Sequence, residues 1–149
     1  ITEVESTSFD IDQIGERNFL FTTDVPDGSD LIVTATDAAG NSSGTYLALD
    51  DESANTQLGL TNPNLAQFNI ETIDLQFAEE AQLTITEAAL VNLSSNTNTL
   101  VINGHSDDRV TITGAVRAGS EAKDGQTYDI YTLGNEGTLM IDDDINVVI

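Results

Sequence analysis

Short runs of alternating apolar and polar residues recur along this chain, and each is cut off by glycine, asparagine or aspartate. Such runs fold as strands, because successive side chains on a strand point to opposite faces. Leu31, Val33 and Ala35 alternate with Ile32, Thr34 and Thr36. Residues 37–44 are dense in turn formers, since Gly tolerates positive φ and Asp or Asn side chains bond their own backbone. A second strand over 45–49 makes an antiparallel hairpin and runs into Asp50, Asp51 and Glu52.

The same logic places strands at NFLFTT (18–23), 82–85, 99–103, 109–113, 126–133, 138–141 and 145–149. Residues 1–12 suggest an edge strand with Phe9 and Ile11 on one face, followed by a turn at Gly15 and Glu16. Asp27-Gly28, Asn103-Gly104 and Asp124-Gly125 are turn dipeptides. In FNIETIDLQF (68–77) the apolar phase slips by one residue, which predicts a β-bulge near Glu71 and Thr72. One helix is expected, at 86–94, with Thr86 as N-cap, Glu87 where the helix dipole favours an acid, and Ala89, Leu90 and Leu93 facing the core. The class is therefore all-β, with closely spaced strands of a sandwich and one short helix.

At 149 residues the chain makes one ordinary domain or two small ones. Residues 50–65, polar and carrying Gly59 and Pro63, read as a linker. That divides the chain into 1–52 and 53–149, unless the two parts pair into one composite sandwich. Cysteine is absent, so no disulfide or thiolate metal site is available. No apolar run approaches the roughly 20 residues of a membrane span. The chain is read as part of something longer whose targeting signals lie elsewhere.

Charge is the strongest compositional signal: 26 acidic against 4 basic residues, a net charge of −22. Nucleic acids and anionic membranes need basic contacts and are excluded as partners. Acids gathered at turns need a counter-ion, and the ion expected is Ca2+, which takes 6–8 oxygen ligands. Asp27, Asp37, Asp50 and Asp51 are one candidate set, the alternative being turn formers and solubilising charge. Asp142, Asp143 and Asp144 form a three-acid hairpin loop that either holds an ion or is solvated. No EF-hand or glycine-rich nonapeptide pattern occurs.

Two stretches resemble known families. DGSDLIVTATDAAGNSSGTYLALD (27–50) is similar to the end of the bacterial immunoglobulin-like repeats of giant type I-secreted adhesins. Residues 73–149 resemble a module from the C-terminal portions of repeats-in-toxin (RTX) and biofilm-associated adhesins. The matching pieces are IDL (73–75), LTITEAALVNLSSNTNTLVING (83–104), DRVTITG (108–114), DGQTYDIYT (124–132) and TLMIDDDINVVI (138–149). The resemblance implies an immunoglobulin-like sandwich in the first part and a non-catalytic, calcium-stabilised module at the bacterial cell surface, serving cell adhesion and biofilm formation. Its partners would be adjacent modules, or glycans, peptides or further copies of itself. It also implies calcium ligands at Asp27, Asp37 and Asp50 in the repeat, and at Asp108, Asp142 and Asp144 beyond it. Ser95, Asn103 and His105 stand where the family commonly has acids or a different turn.

Enzymatic patterns are weak. His105, the lone histidine, reads as a solvated turn residue, and no GxSxG elbow accompanies it. Glu79-Glu80 reads as a charged rim rather than a glycosidase pair. Tyr46, Tyr128 and Tyr131 read as packing residues, with a sugar or peptide groove as the alternative.

Overall fold

The structure is a computed structural model. It describes residues 1–9, 18–26, 28–49 and 55–149, without the side chains of residues 8 and 9. The expected facing of Phe9 and Ile11, and the turn at Gly15 and Glu16, lie outside these residues. Strands β1 (Ser6–Phe9) and β2 (Asn18–Phe21) form a separate antiparallel pair.

The rest is built from a repeated step. A long strand enters one sheet, the chain turns a corner, and a short strand enters a second sheet. The steps are β4 (Ser42–Leu49) to β5 (Gln57–Leu58), β6 (Ile70–Phe77) to β7 (Gln82–Thr84), and β8 (Thr99–Asn103) to β9 (Arg109–Thr111). The last is β12 (Gly137–Asp142) to β13 (Asn146–Val148). Each step stacks on the one before in parallel register. Thus β4, β6, β8 and β12 lie side by side in a seven-stranded sheet, and β5, β7, β9 and β13 make a four-stranded one. Only the flanking pairs of the large sheet are antiparallel. These are β3 (Leu31–Thr36) on β4, and the hairpin of β10 (Val116–Lys123) and β11 (Gln126–Leu133) on β12.

This differs from the expected immunoglobulin-like sandwich, whose sheets are antiparallel. The β-rich class and the short helix hold, but the central pairing is that of stacked coils. Stacking explains the sequence better than a sandwich does, because like residues fall in register. Ile73, Ile102 and Ile141 align across the large sheet, and Leu83, Val110 and Val147 across the small one. The three isoleucines, with Leu83 and Val110, are at most 1% exposed and belong to a single core. Each such side chain contributes about 1.5–3 kcal/mol by burial.

Local signals explain the remaining elements. Glu71 is the extra residue of the predicted bulge, since Gly44 pairs with Ile70 but Thr45 with Thr72. Helix α1 (Glu87–Leu93) is capped by the Thr86 hydroxyl, which accepts from Ala89 N, and it buries Leu90 and Leu93. The Glu87 carboxylate also accepts from the backbone N–H of Asn135 and Glu136, pinning the turn before β12. Within the expected linker the described residues are structured. They hold β5 and a 3-10 helix, Pro63–Phe68, with Leu60 and Leu65 buried. Left-handed asparagines, Asn69 (φ 44) and Asn98 (φ 51), precede β6 and β8. Asn69 joins three coils: its Nδ2 donates to Ser42 O, and its Oδ1 accepts from Asn96 N.

Candidate metal centre

The corners between long and short strands stack along one edge of the molecule, and they collect acids. They run from Phe77 to Gln82, from Asn103 to Arg109 and from Asp142 to Asn146. A backbone ladder holds them together: Gln82 N donates to Thr56 O (2.8 Å), Arg109 N to Ala81 O (2.8 Å) and Asn146 N to Asp108 O (3.0 Å).

Asp108 lies at the centre of this ladder and is only 1% exposed. One carboxylate oxygen accepts from Ala81 N at 2.9 Å and the other from His105 N at 2.7 Å. Asp108 N closes the turn by donating to His105 O at 3.1 Å. The carboxylate therefore ties one corner to the next. Burial raises its pKa from the ordinary aspartate value, and the two N–H donors oppose that rise. Gly104 makes room for it. A Cβ there would lie 2.7 Å from the Asp108 carboxylate and 2.8 Å from Ile145 Cδ1. His105 and Asp107 are exposed beside it, and one ligand atom from each of the three residues lies within 4.8 Å of the others.

A second polar group borders the corner. Asp74 pairs in register with Asn103, and Tyr128 pairs with Asp142 across β11 and β12. The Tyr128 hydroxyl donates to Asn103 Oδ1 at 2.9 Å. Burial raises the pKa of Tyr128, with Asp142, Asp124 and Asp74 adding to the shift, and burial likewise raises Asp74. Asp142 is 2% exposed, and its Oδ1 accepts from Gln126 Nε2 (2.8 Å) and Asp144 N (3.2 Å). Asp142–Asp144 is not the hairpin loop expected from sequence. It is a corner between strands of different sheets.

Asp37 sits apart, in the turn of the β3–β4 hairpin, at the other end of the long strands. Its Oδ1 accepts from Ala39 N (2.8 Å) and Asn41 N (2.9 Å), and its Oδ2 from Asn41 Nδ2 (2.8 Å). These bonds, the Asn41 side chain first, lower its pKa. Asp27, Asp50 and Asp51 lie outside the described residues. Of the expected calcium ligands, the structure thus brings Asp142 and Asp144 to one corner and Asp108 to the neighbouring one, and leaves Asp37 remote. His105, Asp107, Asp74 and Asn103 were not expected as site residues. For Asp74 and Asn103 the signal was the recurrence of Ile-Asp, Ile-Asn and Ile-Asp at 73–74, 102–103 and 141–142, whereas no such pattern marks His105 and Asp107.

The residues suit calcium in part. Carboxylates and turn carbonyls are oxygen donors, but Asp37, Asp108 and Asp142 already accept backbone or amide N–H bonds. Asp107, Asp143 and Asp144 are exposed, and Lys or Arg balances little of this charge. Among the described residues the single ion pair is Arg117–Asp129. All three tyrosines are buried, at 5%, 8% and 5% for Tyr46, Tyr128 and Tyr131, so they line no groove. Tyr46 donates instead to the Asp30 carboxylate. An open polar trough of about 680 Å³ lies beside Asp37, lined also by Asn41, Glu71, Asn96 and Thr97. Compared with family models, curated proteins and solved structures, the chain matches none.

Proposed function

We propose that this chain is a non-catalytic, calcium-stabilised module of a bacterial surface adhesin, acting as a stiff spacer in cell adhesion and biofilm formation. The observation that carries the reading is the stacking of acidic corners, Asp107, Asp108, Asp142 and Asp144 among them, on a chain of net charge −22. Of these acids Asp107 and Asp144 are exposed and Asp108 and Asp142 are buried, and charges this crowded repel one another within a Debye length of about 8 Å. A dication between them relieves the repulsion and couples one coil to the next. Parallel coils joined corner to corner make a rod that resists bending along its stack. The resemblance of 27–50 and 73–149 to secreted adhesins supplies the biological setting.

Extracellular calcium sites commonly have Kd near 10⁻⁴–10⁻³ M. At about a hundredfold excess over Kd, one site stabilises the fold by about 2.7 kcal/mol. For a chain of this length that raises Tm by about 5–10 °C. The test is a melting scan in millimolar Ca2+ against the same scan in chelator, at constant ionic strength. A rise of that size supports the reading, and an unchanged midpoint removes calcium from it.

The polar trough beside Asp37 favours a second reading, a module that binds a glycan or peptide. Saturable binding of a soluble glycan, abolished by Asp37→Ala with the fold intact, decides for it.

A further inference from the structure

The corner between β8 and β9 differs from the other corners in donor chemistry. His105 carries the chain's one imidazole. A ligand atom from each of His105, Asp107 and Asp108 lies within 4.8 Å of the others. Yet no hydrogen bond or ion pair joins the ring to either carboxylate, since among the described residues only Arg117 and Asp129 form an ion pair. Three lone-pair donors are gathered without consuming one another.

We propose that His105, Asp107 and Asp108 bind one first-row transition-metal dication, represented by Zn2+. Calcium prefers a shell made wholly of oxygen. Imidazole suits zinc, copper, iron and nickel, and carboxylate completes such sites. Zinc ligands lie about 2.0–2.2 Å from the ion, so tetrahedral neighbours stand about 3.4 Å apart. Closing the group from 4.8 Å moves the side chains of His105 and Asp107, both exposed, toward the buried Asp108 carboxylate.

Asp108 is the fixed member. Its oxygens are held by Ala81 N and His105 N, and each keeps a further lone pair for an ion. Hydrogen bonds of this kind orient a ligating carboxylate, and their loss typically weakens metal affinity about 10–100-fold. Because Ala81 belongs to the preceding corner, an ion on Asp108 also braces one coil against another. Water fills the remaining coordination positions. This inference does not rest on the calcium reading.

The test follows the single histidine by ¹H–¹³C correlation NMR on the full chain, first in chelator and then with added Zn2+. The expected result is a shift of the imidazole signals that saturates at one equivalent and persists under hundredfold excess Ca2+. By calorimetry, His105→Ala and Asp107→Asn each weaken Zn2+ binding at least tenfold. Both positions are exposed, and far-UV circular dichroism verifies that the variants fold. An imidazole signal unmoved by zinc overturns the proposal, as does His105→Ala binding zinc as tightly as the parent chain. The calcium-dependent rise in Tm should survive His105→Ala, so failure here and failure of the calcium reading are separate results.

Discussion

Removing the Asp108 carboxylate should loosen the coil stack by a measurable and local amount. In Asp108→Ala two backbone donors, Ala81 N and His105 N, lose their acceptors. An unsatisfied buried N–H costs about 1–3 kcal/mol. His105 is exposed, so water replaces part of its lost bond, whereas the Ala81 residue is fully buried. Relief from burying a carboxylate returns some of the loss. The net expectation is about 2–4 kcal/mol, or a fall in Tm of about 5–15 °C, in chelator so that no metal contributes. Asp108→Asn should lie between, because the amide keeps one acceptor but turns its NH2 toward the other donor.

The pH dependence has a definite sign. The folded-state pKa of Asp108 is raised, with burial as the leading cause. Its ionisation therefore opposes folding, and its favourable contribution is greatest below the ordinary aspartate value and is lost as pH rises through the raised one. The stability gap between the parent chain and Asp108→Asn should widen as pH falls through that window. Denaturant melts at several pH values measure it, and hydrogen exchange localises it. The amides of Ala81 and His105 should lose protection in Asp108→Ala before the rest of the sheet does. A loss below about 0.5 kcal/mol, the range of ordinary surface substitutions, would refute the claim that this carboxylate ties the corners.

Two further predictions follow from neighbouring geometry. Gly104→Ala places a methyl 2.7 Å from the Asp108 carboxylate and 2.8 Å from Ile145 Cδ1, and such overpacking costs about 1–3 kcal/mol; an unchanged denaturation midpoint would show that the corner yields. Asp37 has a lowered pKa through its bonds to Asn41 and Ala39. Its support of the β3–β4 turn should be present above the ordinary aspartate value and vanish as pH falls through the lowered one, read as faster exchange of the Ala39 and Asn41 amides.

Much of the local structure was legible because alternation reports which face of a strand is buried. Strands β8 and β11 fall where the pattern placed them, at 99–103 and 126–133. The phase slip at Glu71 and the cap at Thr86 were equally direct. Strand β10 was missed because it lacks the signal. Every side chain in VRAGSEAK apart from the Gly119 position is exposed, so the sequence carries no apolar alternation. The parallel stack was missed for a different reason. Alternation says that a strand has two faces but not which strand lies beside it. The repeat that would have told this, Ile73, Ile102 and Ile141, is unevenly spaced because the β10–β11 hairpin is inserted before the last step. At the candidate centre, turn acids were visible as acids. That Asp108 is buried and bonded on both oxygens follows only from its position between two corners, which no local pattern encodes.

The β10–β11 hairpin has a consequence beyond its own contacts. By pairing antiparallel with β12, strand β11 takes the edge on which another parallel rung of the large sheet would grow. Open edges of regular sheets recruit strands from other molecules and seed fibres. The hairpin moves that edge outward to β10, whose Arg117, Glu121 and Lys123 are exposed and whose register slips between Arg117 and Gly119, and both features discourage a further strand from pairing there.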